Sequence, residues 1–231
     1  MPRRARQLAG GIVYHVLNRG CGKMKLFSKA KDFDAFVELL GEAQKRFPGV
    51  RILSYCIMPN HWHLVLLPTD DGELSRFMFW LTMTHVQRWR HARQLVGLGP
   101  LYQGRFRAFA IEADEHLLTV LRYVERNALR AGLVDRAEDW KWSSLHVRRN
   151  LPQVAGELLS AWPIDEPADW VRFVNEPQTA KEEEAVRASV RQGRPFGSVQ
   201  WRTRVAKLMG IDLEPRPRGR PKSDRSSTKR K

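Results

Sequence analysis

The chain has 231 residues, a net charge of +15, 42% hydrophobic residues and eight tryptophans. That is enough apolar material for one main core plus a smaller addition, and the charge calls for a polyanionic partner. Two cysteines, Cys21 and Cys56, exclude a disulfide framework and a Cys-rich zinc module. No run reaches the ~18 apolar residues of a membrane span, and no long face is both basic and apolar enough to lie on a membrane. The basic start is followed by an apolar stretch broken at Tyr14, His15 and Asn18, which reads as a strand and not a signal peptide. A soluble, intracellular protein with no membrane partner is expected.

In chain order, "GIVYHVLNRG" has the β-branched and aromatic content of a first strand ending in a Gly turn. "KDFDAFVELLGEAQKRF" places Phe33, Phe36, Val37, Leu40 and Ala43 at helical spacing, with Pro48 and Gly49 as its stop. "VRILSYCIM" and "HWHLVLL" are strand-like and joined through Pro59 and Asn60, which predicts a hairpin. "ELSRFMFWLTMTHVQRWRHARQL" is a long basic amphipathic helix whose His85 and His91 are expected on its solvated face. "GRFRAFAIE" alternates, with Phe106, Ala108 and Ala110 on one side and Arg105, Arg107 and Phe109 on the other. "DEHLLTVLRYVERNALRAGLV" is a helix opened by Asp114 and closed near Gly132.

The order β-α-β-β-α-β-α predicts an α+β fold, a single antiparallel sheet with helices packed on it. Three regions follow: a main domain over 1–148, a helical extension over 149–213 punctuated by prolines, and a basic tail over 214–231. The tail holds eight Lys/Arg against two Asp/Glu, so it carries +6 and the rest +9. With almost nothing apolar in it, the tail is expected to be disordered when free.

His61 and His63 are separated by one residue at the start of a strand, so they share a face while Trp62, Leu64 and Leu66 turn to the other. Such a pair is open to three readings: buried polar residues, half of a zinc site, or ligands of a metal acting on phosphate. Zinc usually takes three or four protein ligands, and the sequence has neither a Cys cluster nor H-E-x-x-H. The helix "LRYVERNALRAGLV" adds Tyr123 and Asn127, four apart and therefore neighbours on one face. An amide oxygen beside two imidazoles suits Mg²⁺ or Mn²⁺, and such a cation can polarise a phosphodiester oxygen. Tyr123 one turn away is placed to attack phosphorus and form a phosphotyrosine, which preserves the bond for rejoining.

"MPNHWHLVL" resembles the HUH motif (His, bulky hydrophobic, His), and "YVERNALRAGLV" is similar to the tyrosine helix of the single-tyrosine transposases. With "LYQGRFRAFAIEADEHLLTVLRYVERN" and "DWKWSS", the chain resembles the REP-associated tyrosine transposases, bacterial relatives of the IS200/IS605 transposases, over about residues 8–147. "GRPFGS" at 193–198 adds weaker support. The resemblance implies His61, His63 and Asn127 as metal ligands and Tyr123 as nucleophile. It also implies cleavage of single-stranded DNA beside a REP-like palindromic hairpin, leaving a 5′-phosphotyrosine and a free 3′-OH. It further implies a cytoplasmic bacterial protein associated with the nucleoid, acting as a monomer or a homodimer. Where the family usually has Pro, this chain has Ala128, so the helix is expected to run on more regularly.

Arg105 and Arg107 share a strand face, and Arg122, Arg126 and Arg130 recur at i, i+4 and i+8. They are read as a solvated face partly balanced by Glu125 or as phosphate contacts. Phe109, on the arginine side, and Tyr102, in a loop, are candidates for stacking on unpaired bases. His15 is given a structural or phosphate-contacting role, and Tyr14 and Tyr55 belong in the core. "RPRGRPK" in the tail resembles an AT-hook, with Arg218 and Arg220 as candidates for the minor groove of duplex DNA. Two other readings are a hairpin-binding protein that has lost catalysis and a replication-initiation nuclease of the wider HUH group.

Overall fold

In the computed structural model, residues 8–95, 97 and 99–213 are described. The elements run β1 (Val13–Arg19), α1 (Ala30–Arg46), β2 (Val50–Met58), β3 (His61–Pro68), α2 (Glu73–Ala92), β4 (Arg107–Ile111) and α3 (Glu115–Glu125). They continue with α4 (Asn127–Arg130), α5 (Ser144–Asn150), α6 (Pro152–Leu158), α7 (Trp170–Asn175), α8 (Ala180–Gln192) and α9 (Val199–Met209). The four strands form one antiparallel sheet in the order β2-β3-β1-β4. The fold is therefore the α+β architecture that the sequence pattern predicts.

Both faces of the sheet are covered, and by different helices. Trp62, Leu64 and Leu66 of β3 join Tyr14 and Val16 of β1 in a core completed by Phe36, Leu39 and Leu40 of α1 and Phe77, Met78 and Leu81 of α2. On the opposite face Val13, Val65 and Phe109 meet Leu117, Val120, Leu121 and Val124 of α3. The two-residue period of each strand makes this division. Since α3 carries Tyr123, the tyrosine lies on the same side of the sheet as the histidine pair.

The outer strands are closed by later parts of the chain. Along β2, Ile57 N–H donates to Trp142 O (3.0 Å) and Ser160 N–H donates to Ile52 O (2.8 Å). Along β4, Phe196 N–H donates to Ala110 O and Glu112 N–H donates to Phe196 O. Uncovered edges invite pairing with other chains, and here both are occupied. The chain after residue 149 packs on the same sheet: Trp162 Nε1 donates to Leu53 O at 3.0 Å, and Met209 Sδ lies 3.8 Å from the Tyr14 hydroxyl. No helix among the described residues is long and apolar enough to cross a membrane.

His85 corrects the expected solvated position. It is buried, its ring stacked on Phe27 and its Nδ1 hydrogen-bonded to the Tyr102 hydroxyl, which in turn accepts from Trp62 Nε1. Tyr102 is consequently buried as well and offers no ring to a base. Burial pushes His15 and His85 down to about 3 and His61 to about 4, and holds His63 well below its ordinary value.

These histidines stay neutral in the fold at pH values where the unfolded chain takes up protons. The stability they contribute is therefore complete above pH ~6.5 and is lost as pH falls toward the folded values near 3 to 4. Urea denaturation at pH 7.5, 6 and 5 should show a falling midpoint, with about 2 kcal/mol lost by pH 5 for each histidine that remains neutral. His85→Gln should flatten that slope, and an unchanged slope would mean that His85 does not contribute to it.

Candidate active site

The site begins with the register of β3. In the pairing with β1, Leu17 lies opposite His63 and Arg19 opposite His61. The two imidazoles stand side by side, 4.9 Å between centroids and at 81° to each other. His61 Nδ1 is 2.6 Å from Asn60 Oδ1, and a carboxamide oxygen only accepts, so Nδ1 carries the proton and Nε2 keeps its lone pair. His63 is buried, with Nδ1 2.8 Å from His15 Nε2 and the two rings stacked at 5.0 Å. Full burial of His15 removes the phosphate-contacting role and makes it the partner of His63.

Helix α3 starts at Asp114, whose carboxylate accepts from His116 N–H at 2.9 Å as an N-cap. Tyr123 arrives edge-on to both inner imidazoles, 6.0 Å from His63 and 6.4 Å from His15. The Arg130 guanidinium covers its ring at 4.1 Å, and Arg130 NH1 is buried with no hydrogen-bond partner among the described residues. The expectation of a more regular helix is corrected. Arg126, with ψ of −4°, interrupts it between α3 and α4 even without proline. The near-zero ψ relaxes one turn while the Arg126 guanidinium holds carbonyls outside the helix.

Asn127 opens α4, buried, and its Nδ2 has no partner among the described residues. A half-turn of the amide, neutral in shape, puts Oδ1 in that position, where an electropositive ligand would satisfy it. Two imidazole nitrogens and one amide oxygen form a donor set that fits a divalent cation. A separate group, Glu112, Asp114 and His116, brings three potential ligand atoms within 4.8 Å of one another. Asp114 is already engaged as the helix cap and in a 2.8 Å contact with His116 Nδ1.

What holds α3 in place is Glu125. The solvated position expected for it is wrong: its carboxylate is fully buried and accepts from Ser54 Oγ (3.1 Å), Ser144 Oγ (2.7 Å) and Trp170 Nε1 (2.8 Å). Burial raises its pKa, and these hydrogen bonds oppose the rise. One side chain thus ties the tyrosine helix to β2, α5 and α7. Glu125 interrupts the apolar run of Leu117, Leu121, Val124 and Ala128 at helical spacing, which is the signal of an inward position.

The expected arginine face divides. Arg105 and Arg107 are exposed and line a cleft of about 290 Å³ with Leu17, Asn18, Arg19 and Gln103. Arg122 is buried and Arg126 partly buried, because the end of α7 and the two residues after it cover them. Arg122 donates to Glu176 O (2.8 Å) and Pro177 O (3.2 Å) and lies 3.8 Å over the Phe173 ring. Arg126 donates to Val174 O (3.1 Å) and Asn175 O (2.6 Å). Phe109, also expected to be available to a base, is buried against His15 at 4.9 Å. Arg218 and Arg220 lie outside the described residues.

Comparison with known proteins gives the chain a family and its fold a solved counterpart. Residues 9–127 match the family described as IS200-like transposase. A REP-associated tyrosine transposase of Haemophilus influenzae is 29% identical over 102 residues, covering 41% of this chain and 58% of that relative's length. Among solved structures, a REP-associated tyrosine transposase bound to a REP hairpin has the same fold, with a TM-score of 0.52 at 20% identity, over 73% of this chain and 96% of that one. A transposase of Deinococcus radiodurans matches more loosely, with a TM-score of 0.39 at 17% identity, over 54% of this chain and 96% of that one.

Because Glu125 is the common acceptor for three buried donors, Glu125→Ala should lower the unfolding free energy by about 3 kcal/mol. Glu125→Gln, which keeps one acceptor oxygen, should lose less. Denaturant titration of both variants measures this, and equal small losses would show that the helix is held by apolar packing alone.

Proposed function

The chain belongs to the family of IS200-like transposases, and from that membership we propose that it cleaves and rejoins single-stranded DNA beside a folded hairpin, with Tyr123 as nucleophile. The observation that carries this reading is the contact of the Tyr123 ring with His63, on the sheet face shared with His61. His61, His63 and Asn127 would hold Mg²⁺ or Mn²⁺, which supplies charge stabilisation for a phosphodiester oxygen. The Tyr123 oxygen forms a bond to phosphorus, the bond from phosphorus to the 3′ oxygen breaks, and the phenol proton ends on the departing 3′ oxygen. The products are a 5′-phosphotyrosine and a free 3′-OH, so one phosphoester replaces another and the reverse attack reseals the strand. A phenol is a weak nucleophile, so its attack is helped by positive charge placed where charge develops in the transition state. Arg130 lies over the ring, and its unpartnered NH1 suits a phosphate oxygen.

The substrate reading follows from charge and from relatives. Arg19, Arg105 and Arg107 form a basic cleft for the strand. A REP-like hairpin is the proposed partner because the solved relative of the same fold is bound to a REP hairpin. The tail over 214–231, carrying +6, is proposed as a tether to duplex DNA. The proposed setting is the bacterial cytoplasm, on nucleoid DNA. A binding protein that has lost catalysis would have no need of all four of His61, His63, Tyr123 and Asn127.

Incubating a labelled hairpin oligonucleotide with the protein should yield a covalent adduct that survives denaturing electrophoresis. Tyr123→Phe should abolish the adduct and leave hairpin affinity nearly intact; an undiminished adduct would move the nucleophile to another tyrosine.

EDTA, His61→Ala and His63→Ala should each remove cleavage, and Mg²⁺ or Mn²⁺ should restore it to the EDTA-treated wild type only. Full cleavage in EDTA would end the metal reading.

A further inference from the structure

Three histidines follow one another at the site, His61 beside His63 and His63 beside His15, and only the first two belong to the sequence motif. His15, on β1, is fully buried and contacts no solvent that a substrate could displace. Its Nε2 is 2.8 Å from His63 Nδ1, while its own Nδ1 is buried with no partner among the described residues. An unmet buried polar atom is destabilising, so an apolar residue at this position would pack without that penalty. The other strand residues directed into this face nearby, Val13, Val65 and Phe109, are apolar. A histidine here demands a reason.

The bond between the two rings has two possible directions, with opposite consequences. If His15 Nε2–H donates, His63 accepts at Nδ1 and must carry its proton at Nε2, which bars that nitrogen from any cation. If His63 Nδ1–H donates, its Nε2 holds a lone pair, and His15 must carry its own proton at Nδ1. The rings around His15 are Phe109 at 4.9 Å and Tyr123 at 6.4 Å. The neighbouring ligand follows the same scheme: Asn60 Oδ1 can only accept, so it also fixes a proton on Nδ1 of His61.

We propose that His15 is a positioning residue: it accepts the His63 Nδ1 proton, and so holds the His63 Nε2 lone pair available to the active-site cation, as Asn60 does for His61. The inference rests on the metal-dependent reading given above and assigns it a second tier of residues. Outer partners of metal-bound imidazoles commonly contribute 10–100-fold to metal affinity.

The test uses the full chain, Mn²⁺ alone, two variants at His15 and, as a control, His61→Ala. His15→Gln retains an oxygen able to accept from His63 Nδ1–H, and His15→Met fills the space with no comparable acceptor. Mn²⁺ affinity, read from the paramagnetic resonance signal of free ion, should fall about 10–100-fold in His15→Met and be largely rescued in His15→Gln. Thermal unfolding of both variants separates this from general damage, because a merely structural role would follow the melting temperature and not the acceptor. In ¹⁵N-histidine protein without metal, ring correlations should show His63 protonated at Nδ1 in the wild type and in His15→Gln. A wild-type His63 protonated at Nε2, or wild-type Mn²⁺ affinity in His15→Met, overturns the proposal. If His61→Ala and the wild type bind Mn²⁺ equally weakly while His63 remains protonated at Nδ1, the metal reading fails and the direction of the bond stands.

Discussion

The site depends on the two-residue period of one central strand. β3 lies between β2 and β1, so neither of its faces is free to wander in register. Trp62, Leu64 and Leu66 are fully buried against α1 and α2, and a slip of one residue would drive the imidazoles into that core. Burial of the large residues thus fixes where the polar ones point. β1 reinforces the choice, since its pairing sets His15 opposite Val65 and brings its ring to His63.

Against this face the tyrosine helix is held by chemistry that the strands alone do not supply. A carboxylate with no access to water, Glu125, gathers donors from β2, α5 and α7. Arg122 and Arg126 fasten the outer side of the same helix region to carbonyls of residues 174–177. Helix α3 is therefore clamped from within and without, as the role proposed for Tyr123 would require. Helix α7 and the two residues after it contribute to the site through this clamp.

Much of this was legible in the sequence, for identifiable reasons. The strands themselves and the hairpin follow from β-branched runs and Pro59-Asn60, and the shared face of His61 and His63 follows from strand period. Two of the differences share one cause. Glu125 and His85 look solvated by residue type, although each occupies an apolar stripe at helical spacing: His85 stands four residues from both Leu81 and Trp89. Here the period outweighed the polarity. Arg122 and Arg126 were unreadable for another reason, since what covers them comes from residues about fifty positions later. The contact of His15 with His63 joins residues 48 apart across two strands, and no local pattern reveals it.

The same accounting narrows where the positive charge acts. A net +15 spread over a chain says little about a binding face, because many of the arginines are structural. Arg122 and Arg126 satisfy carbonyls, Arg88 pairs with Glu42, and Arg93 pairs with Asp32 while lying 4.2 Å over Trp89. Arg105 and Arg107 remain exposed beside Arg19 at the ends of β1 and β4, next to the strand end that carries His61. Arg130 remains at the tyrosine itself. A strand following the basic cleft would bring its phosphates toward the imidazole pair without crossing the aromatic core. Removing the structural arginines from the count thus leaves positive charge beside the strand end that carries His61 and over the ring of Tyr123.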